Sequence, residues 1–213
     1  MKELKELRLA LLNAVGLRLA QFGFRPKPVG QSFLRPLPGG RSAFHISFIN
    51  HPDDFDVTGS VAIRFDALED LLNHDSKFLS KKERTQTYSL GAELGNIAGT
   101  GQRRWAITRD SNVDDVAAKI IVDFQEIGIP YLEKASTMES ALDLFRQPGR
   151  AAWLHCPFHH VRAKSVVGLA YLLGRKNDLP SLIQEQTLVV KSLYEPGLEE
   201  FQQFVESLAN KET

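Results

Sequence analysis

Four side chains that bind metal ions or perform nucleophilic chemistry lie within one six-residue stretch of this chain. They are His155, Cys156, His159 and His160, with Pro157 between the two pairs. Zinc binds imidazole nitrogen and thiolate sulfur, and three such ligands with one water molecule form a catalytic site. A continuous helix would place groups four residues apart on one face. Pro157 instead favours a helix that starts after the first pair, which would separate the ligands.

These four residues make a metal-dependent hydrolase an alternative function for the chain. The sequence contains no HExxH or CxxC motif that would strengthen this alternative. Cys156 would act as a nucleophile with His159 as its base only if the pKa of the thiol were lowered. We favour a buried, unreactive thiol, because no signature of cysteine enzymes surrounds the pair. The leading interpretation therefore needs no cofactor.

A second group of candidate binding residues is basic and comes from two stretches of the sequence. The group consists of Lys77, Lys81, Lys82, Arg84, Arg103 and Arg104. Lysine and arginine bind the phosphates of nucleic acids, so a shared patch would favour a nucleic-acid-associated protein. Residues 75–84 are otherwise typical of a solvated loop. Lysine plus arginine equals aspartate plus glutamate at 26 each, and this balance argues against a dedicated nucleic-acid binder.

Cysteine usage and hydropathy indicate the cellular compartment in which the protein acts. The single cysteine excludes an internal disulfide and is typical of a reducing compartment. No apolar run approaches the ~18 residues that cross a bilayer. Glu3, Glu6 and Arg8 interrupt any apolar leader segment at the N-terminus. We expect a cytoplasmic protein without a membrane partner.

The elements that position these residues are predicted by hydrophobic periodicity. An amphipathic helix spans residues 2–22 and ends at Gly23. Apolar and polar residues then alternate with a period of two, and short turns separate the runs, which predicts an antiparallel meander. The predicted strands span residues 31–37, 42–50, 55–65, 85–97 and 105–107. The fold class is α+β: an antiparallel sheet of four to five strands packed by helices, with a C-terminal helical extension.

The most strongly specified helix is predicted between Ser111, which can act as its N-cap, and Ile127. Its apolar stripe contains Val113, Val116, Ala117, Ile120, Ile121, Phe124 and Ile127. Gly128 is typical of a helix end, and Pro130 disfavours continuation. Phe124 lies in the middle of the stripe and is expected to be buried, with Asp123 facing solvent. The helix is a packing signal and carries no chemistry itself.

A proline and a glycine mark the predicted domain boundary. Pro148 and Gly149 lie between two internally consistent patterns, so residues 1–147 are expected to form an α+β domain and residues 148–213 a helical extension. In the extension, an apolar stripe ends at Gly174. Pro180 and Pro196 suit the first turns of two further helices.

Several short motifs carry a resemblance to a known family. They are Phe22-Gly23-Phe24-Arg25-Pro26-Lys27, Ser32-Phe33-Leu34-Arg35, Gly91-Ala92-Glu93-Leu94, Arg104-Trp105 and Gly128-Ile129-Pro130-Tyr131-Leu132-Glu133. In this order they resemble the bacterial DUF4304 family, a domain of unknown function, over roughly residues 5–146. A second tryptophan or an arginine-rich strand that we associate with the family is absent, and Tyr88-Ser89-Leu90 occupies its place. The resemblance implies a sheet flanked by helices and a bacterial interaction or toxin-immunity role, and it carries over no catalytic residue.

The function that we expect is a non-enzymatic binding or regulatory module that acts through protein–protein contact, in an immunity-type role if the resemblance holds. The metal-dependent hydrolase with His155, Cys156, His159 and His160 is one alternative. The nucleic-acid-associated protein with the basic group is the other. A protein partner of unknown identity is expected, and the sequence leaves the oligomeric state open.

Overall fold

The structure is a computed structural model that describes residues 2–27, 30–74, 76 and 79–210. Its sheet consists of β1 (Arg25–Pro26), β2 (Ser32–Leu37), β3 (Gly40–Asn50), β4 (Phe55–Phe65), β5 (Leu90–Glu93) and β6 (Trp105–Ile107). The strand order is β1-β2-β3-β4-β5, and β6 pairs with β4. The α+β prediction is therefore confirmed. The described sheet exceeds the predicted four to five strands because the two-residue β1 pairs with β2.

The helices are α1 (Lys2–Leu19), α2 (Asp66–Asn73), α3 (Lys81–Arg84), α4 (Leu94–Ile97), α5 (Val113–Asp123), α6 (Ile129–Lys134), α7 (Met138–Phe145), α8 (Arg150–His155), α9 (His159–Leu172), α10 (Leu179–Leu193) and α11 (Leu198–Ala209). Short 3-10 turns span Ala20–Phe22, Lys176–Asp178 and Glu195–Gly197, and a π-helical turn spans Phe124–Gly128. No helix in the described part of the chain is both long and apolar enough to cross a membrane.

The meander follows the alternation that the sequence predicts. Phe44 and Ile46 of β3 are fully buried, and His45 between them is exposed. The backbone N–H of His51 donates to the carbonyl of Asp54 at 3.1 Å and closes the turn between β3 and β4. A sheet with one buried and one exposed face accommodates aromatic and β-branched side chains well on the buried face.

The segment from 75 to 97 differs from its prediction. Its polar first part contains helix α3, because Ser80 and Glu83 form a reciprocal capping box. The predicted strand 85–97 is shorter, and only Leu90–Glu93 is extended. The chain then turns into α4, where the Glu93 side chain accepts a hydrogen bond from the N–H of Asn96.

Helix α5 is confirmed, but both of its ends differ from the prediction. The N-cap is Asn112, whose side chain accepts hydrogen bonds from two backbone N–H groups, and not Ser111. At Gly128 the chain does not leave the helix, because the π turn connects α5 directly to α6. A Cβ atom at Gly128 would lie 2.9 Å from Phe124 and 3.1 Å from Val61. Close packing, rather than helix termination, therefore requires this glycine.

The environments of two adjacent residues test the predicted face of this helix. Phe124 is fully buried and contacts the rings of Phe22, Phe24 and Phe44, with centroid distances of 4.8–5.6 Å. Asp123 was expected to face solvent, and this is wrong. It is only 7% exposed, and its carboxylate pairs with Arg103 Nε at 2.9 Å.

The chain forms two compact units, and they divide it differently from the predicted boundary at residue 148. The first unit contains Met1–Ile63 and Gly91–Lys134, and the second contains Arg64–Leu90 and Ala135–Thr213. In the second unit, α9 packs against α2, α7, α10 and α11. Residues 64–90 and 135–147 therefore belong with the C-terminal helices.

The helices predicted for the C-terminal region are confirmed, except that Pro196 lies in the 3-10 turn before α11 and not in the first turn of that helix. Gly174 follows α9 with a φ of 69°, and Pro180 lies in the first turn of α10. The core that these helices share consists of Ala163, Val167, Val190, Phe201, Phe204 and Leu208. Gly168 allows α9 to approach α2 closely, because a Cβ atom there would lie 3.1 Å from Leu68.

Candidate functional site

A cleft of about 600 Å³ opens in the second unit. Its walls come from the C-terminal end of α7 and the following turn, from α8, from the first turn of α9 and from one face of α10. The lining residues are Phe145, Arg146, Gln147, Pro148, Gly149, Arg150, Ala152, Trp153, His159, Arg162, Glu185, Gln186, Val189 and Leu193. This volume is typical of ligand-binding pockets, which measure roughly 300–1,000 Å³.

Arg162 lines the cleft, although it is only 7% exposed. Its Nη1 donates a hydrogen bond to the carbonyl of Cys156 at 2.6 Å. Its Nη2 lies 2.9 Å from Nδ1 of His159. A guanidinium can only donate, so Nδ1 of His159 is the acceptor, and the neutral ring carries its proton on Nε2.

The electrostatics of this group follow from burial and from the guanidinium charge. Burial lowers the pKa of Arg162, but an arginine stays charged at neutral pH. The pKa of His159 is lowered by burial first and then by the charges of Arg162 and His160. The cleft therefore contains a positive guanidinium beside an imidazole that is neutral near pH 7.

The remaining walls of the cleft combine apolar and charged side chains. Trp153 and Leu193 are 47% and 57% exposed, which is high for large apolar residues. Arg146 lies 3.7 Å from Glu185 in an exposed ion pair. Arg150 adds a further exposed positive charge. Three arginines against one glutamate give the cleft a net positive charge.

The four predicted metal ligands do not share a helix face. His155 ends α8, the backbone of Cys156 is extended, and α9 begins at His159. Among the residues that the structure describes, no group of three or more His, Cys, Asp or Glu side chains is arranged to hold a metal ion. The helix break at Pro157 accounts for the separation.

The two consecutive histidines of this cluster have different partners. His159 lines the cleft and pairs with Arg162. His160 Nε2 lies 3.5 Å from a carboxylate oxygen of Glu200, and its ring stacks on Tyr194 at a centroid distance of 5.2 Å. Burial lowers the pKa of His160, although Glu200 acts in the opposite direction. His160 therefore contributes to packing between α9 and the C-terminal residues.

Cys156 does not have the environment of a nucleophile. It is 8% exposed, and burial raises the pKa of its thiol. Its Sγ lies 3.8 Å from the carbonyl of Phe158. The thiolate is therefore disfavoured at neutral pH.

The predicted basic group is divided between the two units. Lys81 and Lys82 are exposed on α3, and Lys77 lies outside the described residues. Arg84 donates to the carbonyls of His74, Ser76 and Leu79 and so holds its own loop.

The other two members of the basic group belong to the first unit. Arg103 pairs with Asp123, and Arg104 contacts Asp56 at 3.4 Å and Gln102 at 2.8 Å. Acidic or polar side chains therefore engage both guanidinium groups, which weakens the argument for a phosphate-binding patch.

The sequence interpretation missed Arg162, Trp153 and the arginines around them. One signal was present: Arg162 lies four residues before Val166, on the apolar stripe of α9. A charged residue in such a stripe predicts a buried charge, and arginine is seldom buried without a partner. No comparable signal marked Arg146 or Arg150.

Comparison with known proteins gives no relative for this chain. No family model, no curated protein and no solved structure matches it. The resemblance to the DUF4304 family therefore stays a prediction.

Proposed function

We propose that the protein is a non-enzymatic binding module that contacts a partner protein through the cleft of its second unit. The observation that carries this proposal is Trp153, a cleft residue that is 47% exposed. Arg146 and Arg150 line the same cleft. Tryptophan and arginine contribute most of the binding free energy at many protein interfaces. An accessible tryptophan beside arginines is therefore the strongest support for protein recognition.

The chemistry of the neighbouring groups supports binding rather than catalysis. Burial raises the pKa of the Cys156 thiol, which disfavours the nucleophilic thiolate. His159 accepts a hydrogen bond from Arg162 at Nδ1, so this nitrogen is not free to take a proton from a substrate. The backbone carbonyl of Cys156 and Nδ1 of His159 instead hold the Arg162 guanidinium in position.

The resemblance to the DUF4304 family suggests a more specific form of the proposal. In this form the module is bacterial, acts in the cytoplasm and neutralises a toxin-like protein as its immunity partner. The bacterial and immunity parts of this form are supported by the resemblance alone, and the cytoplasmic part by the single cysteine. The cleft itself argues only for a partner with an acidic, partly apolar contact segment, because its walls are positive and apolar.

Affinity capture with matched baits tests the proposal. The baits are the wild-type protein, Trp153→Ala and Leu17→Ala, since Leu17 is 77% exposed on α1, in the other unit. We expect a partner that wild type and Leu17→Ala retain and that Trp153→Ala loses. Purified partner should then bind with a Kd raised at least roughly tenfold by Trp153→Ala. Equal binding to all three baits would show that the cleft is not the contact site.

A further inference from the structure

Arg162 is a buried charge without a counter-ion among the described residues. Its two hydrogen bonds go to neutral acceptors, the Cys156 carbonyl and His159 Nδ1. No described carboxylate lies within ion-pair distance of its guanidinium, and burial is the largest cause of its lowered pKa. A buried cation is costly unless an anion or a set of acceptors compensates it.

Another arginine of the same unit shows the ordinary solution. Arg64 is 2% exposed, and its guanidinium lies 2.6 Å from Asp66 and 3.1 Å from Asp70. It also donates to Thr87 at 2.7 Å. Arg64 is therefore compensated within the protein, whereas Arg162 has neutral acceptors and faces a cleft.

We propose that the cleft binds the free carboxylate of an apolar C-terminal residue of the partner protein, a proposal that rests on the function proposed above. A guanidinium has five N–H donors, and the two described hydrogen bonds of Arg162 use two of them. The others suit a bidentate contact with a carboxylate. Capture of a terminal carboxylate is an established mode of peptide recognition.

Two neighbouring features add donors for the same anion. The neutral ring of His159 carries its proton on Nε2, which has no partner among the described hydrogen bonds. The N-cap position of α9, Phe158, has no side-chain acceptor, so the first N–H groups of this 14-residue helix lack a side-chain cap. The positive end of a helix favours an anion. All of these donors belong to the first turn of α9.

The charge and the lining of the cleft favour a carboxylate with an apolar side chain over a phosphate. One buried guanidinium beside a neutral imidazole matches a single negative charge, whereas a phosphate monoester carries nearly two. The charge of Arg150 is exposed to solvent on α8 rather than buried beside Arg162. Arg146 is already paired with Glu185. Phe145, Trp153, Val189 and Leu193 provide an apolar wall for a side chain next to the carboxylate.

Peptide titrations of the 213-residue chain test the proposal. The probes are six-residue glycine–serine peptides that end in leucine or phenylalanine, and each is made with a free carboxylate and with a terminal amide. A further peptide ends in phosphoserine with a terminal amide. Phenylacetate serves as a small carboxylic acid. Binding is followed by NMR through the Trp153 indole N–H, the His159 ring and the Arg162 Nε–H signals.

We expect the free-carboxylate peptides to shift all three signals and to bind at least roughly tenfold more tightly than the amides. Arg162→Lys keeps the charge but loses the planar fork, so it should remove most of this preference, and Arg104→Gln should keep it. Wild-type titrations decide the question if Arg162→Lys does not fold.

Each other outcome overturns the proposal in a recognisable way. Equal binding of acid and amide would refute carboxylate recognition and leave the protein-binding function standing. Tighter binding of the phosphopeptide would assign the site to phosphate. Phenylacetate binding as tightly as the peptides would assign it to small acids and would count against a protein partner as well. No shift with any probe would refute the site itself.

Discussion

Nη2 of Arg162 lies 2.9 Å from Nδ1 of His159, three residues earlier on the first turn of α9. Because the guanidinium is always a donor, this contact fixes which ring nitrogen of His159 carries the proton. It also places the Arg162 charge beside an imidazole whose pKa burial already lowers. The contact therefore sets the tautomer of His159 and disfavours a second positive charge on its ring.

Nitrogen NMR of the His159 ring gives the first prediction. At neutral pH, Nδ1 should be unprotonated and Nε2 protonated. Burial and the Arg162 charge lower the pKa, so it should be below 6.5. Arg162→Gln removes the charge and should raise the pKa of His159, whereas Arg104→Gln should leave it unchanged. A proton on Nδ1 in the neutral wild-type ring would contradict the described hydrogen bond.

The aromatic cluster of the first unit gives a stability prediction. Phe124 is fully buried between three other phenylalanine rings, so Phe124→Ala should lower the free energy of unfolding by about 3–5 kcal/mol through the cavity it leaves. Val122 is 50% exposed on the same helix, and Val122→Ala should cost less than about 1 kcal/mol. Denaturant unfolding measures both changes, and equal losses would mean that the face of α5 is assigned wrongly.

Asp123 gives a prediction about pH. Burial raises its pKa above the ordinary 3.8, even though Arg103 acts in the opposite direction. An acid whose pKa is raised by folding favours the folded state below its unfolded pKa, and this contribution is lost as pH rises through the folded pKa.

Relative to Asp123→Asn, the wild-type protein should therefore lose unfolding free energy as pH rises from about 3.8 through the raised pKa. Denaturant unfolding of both proteins across this range measures the difference. Asp143→Asn changes an exposed carboxylate of α7 and serves as the control. A difference with the opposite slope would show that the Arg103 ion pair outweighs burial.

The sequence predicted the elements whose periodicity is local. Alternation identified β3 and β4, and apolar stripes identified α1, α5 and the C-terminal helices. The π turn was not predictable, because Gly128 has the local signature of a helix end and is instead required by packing against Phe124 and Val61. Asp123 was misassigned for a similar reason, since its partner Arg103 comes from outside the helix.

The site was predicted less well than the fold because its residues are brought together by tertiary structure. The histidine cluster lies in a segment that borders the cleft, but only His159 of that cluster lines the cleft with Arg162. Glu185 and Leu193 come from α10, and no local pattern links them to α8 or α9. The spacing of residues in a sequence reveals ligands that lie on one helix or strand. It does not reveal a cleft whose walls come from several helices.

The chain segments that make up each of the two units give the last prediction, which concerns a fragment that ends at residue 147. The fragment contains all segments of the first unit, so its strands should keep slowly exchanging amides. It contains α2 and α7 but lacks α9, against which both pack. Their apolar faces, including Leu68 and Leu142, should become exposed, so amides of α2 and α7 should exchange rapidly and the fragment should bind a hydrophobic dye.

Hydrogen-exchange mass spectrometry of the fragment measures the exchange of each segment separately, and the 213-residue chain serves as the control. Protection of α2 and α7 equal to that in the full chain would show that they fold independently of α9.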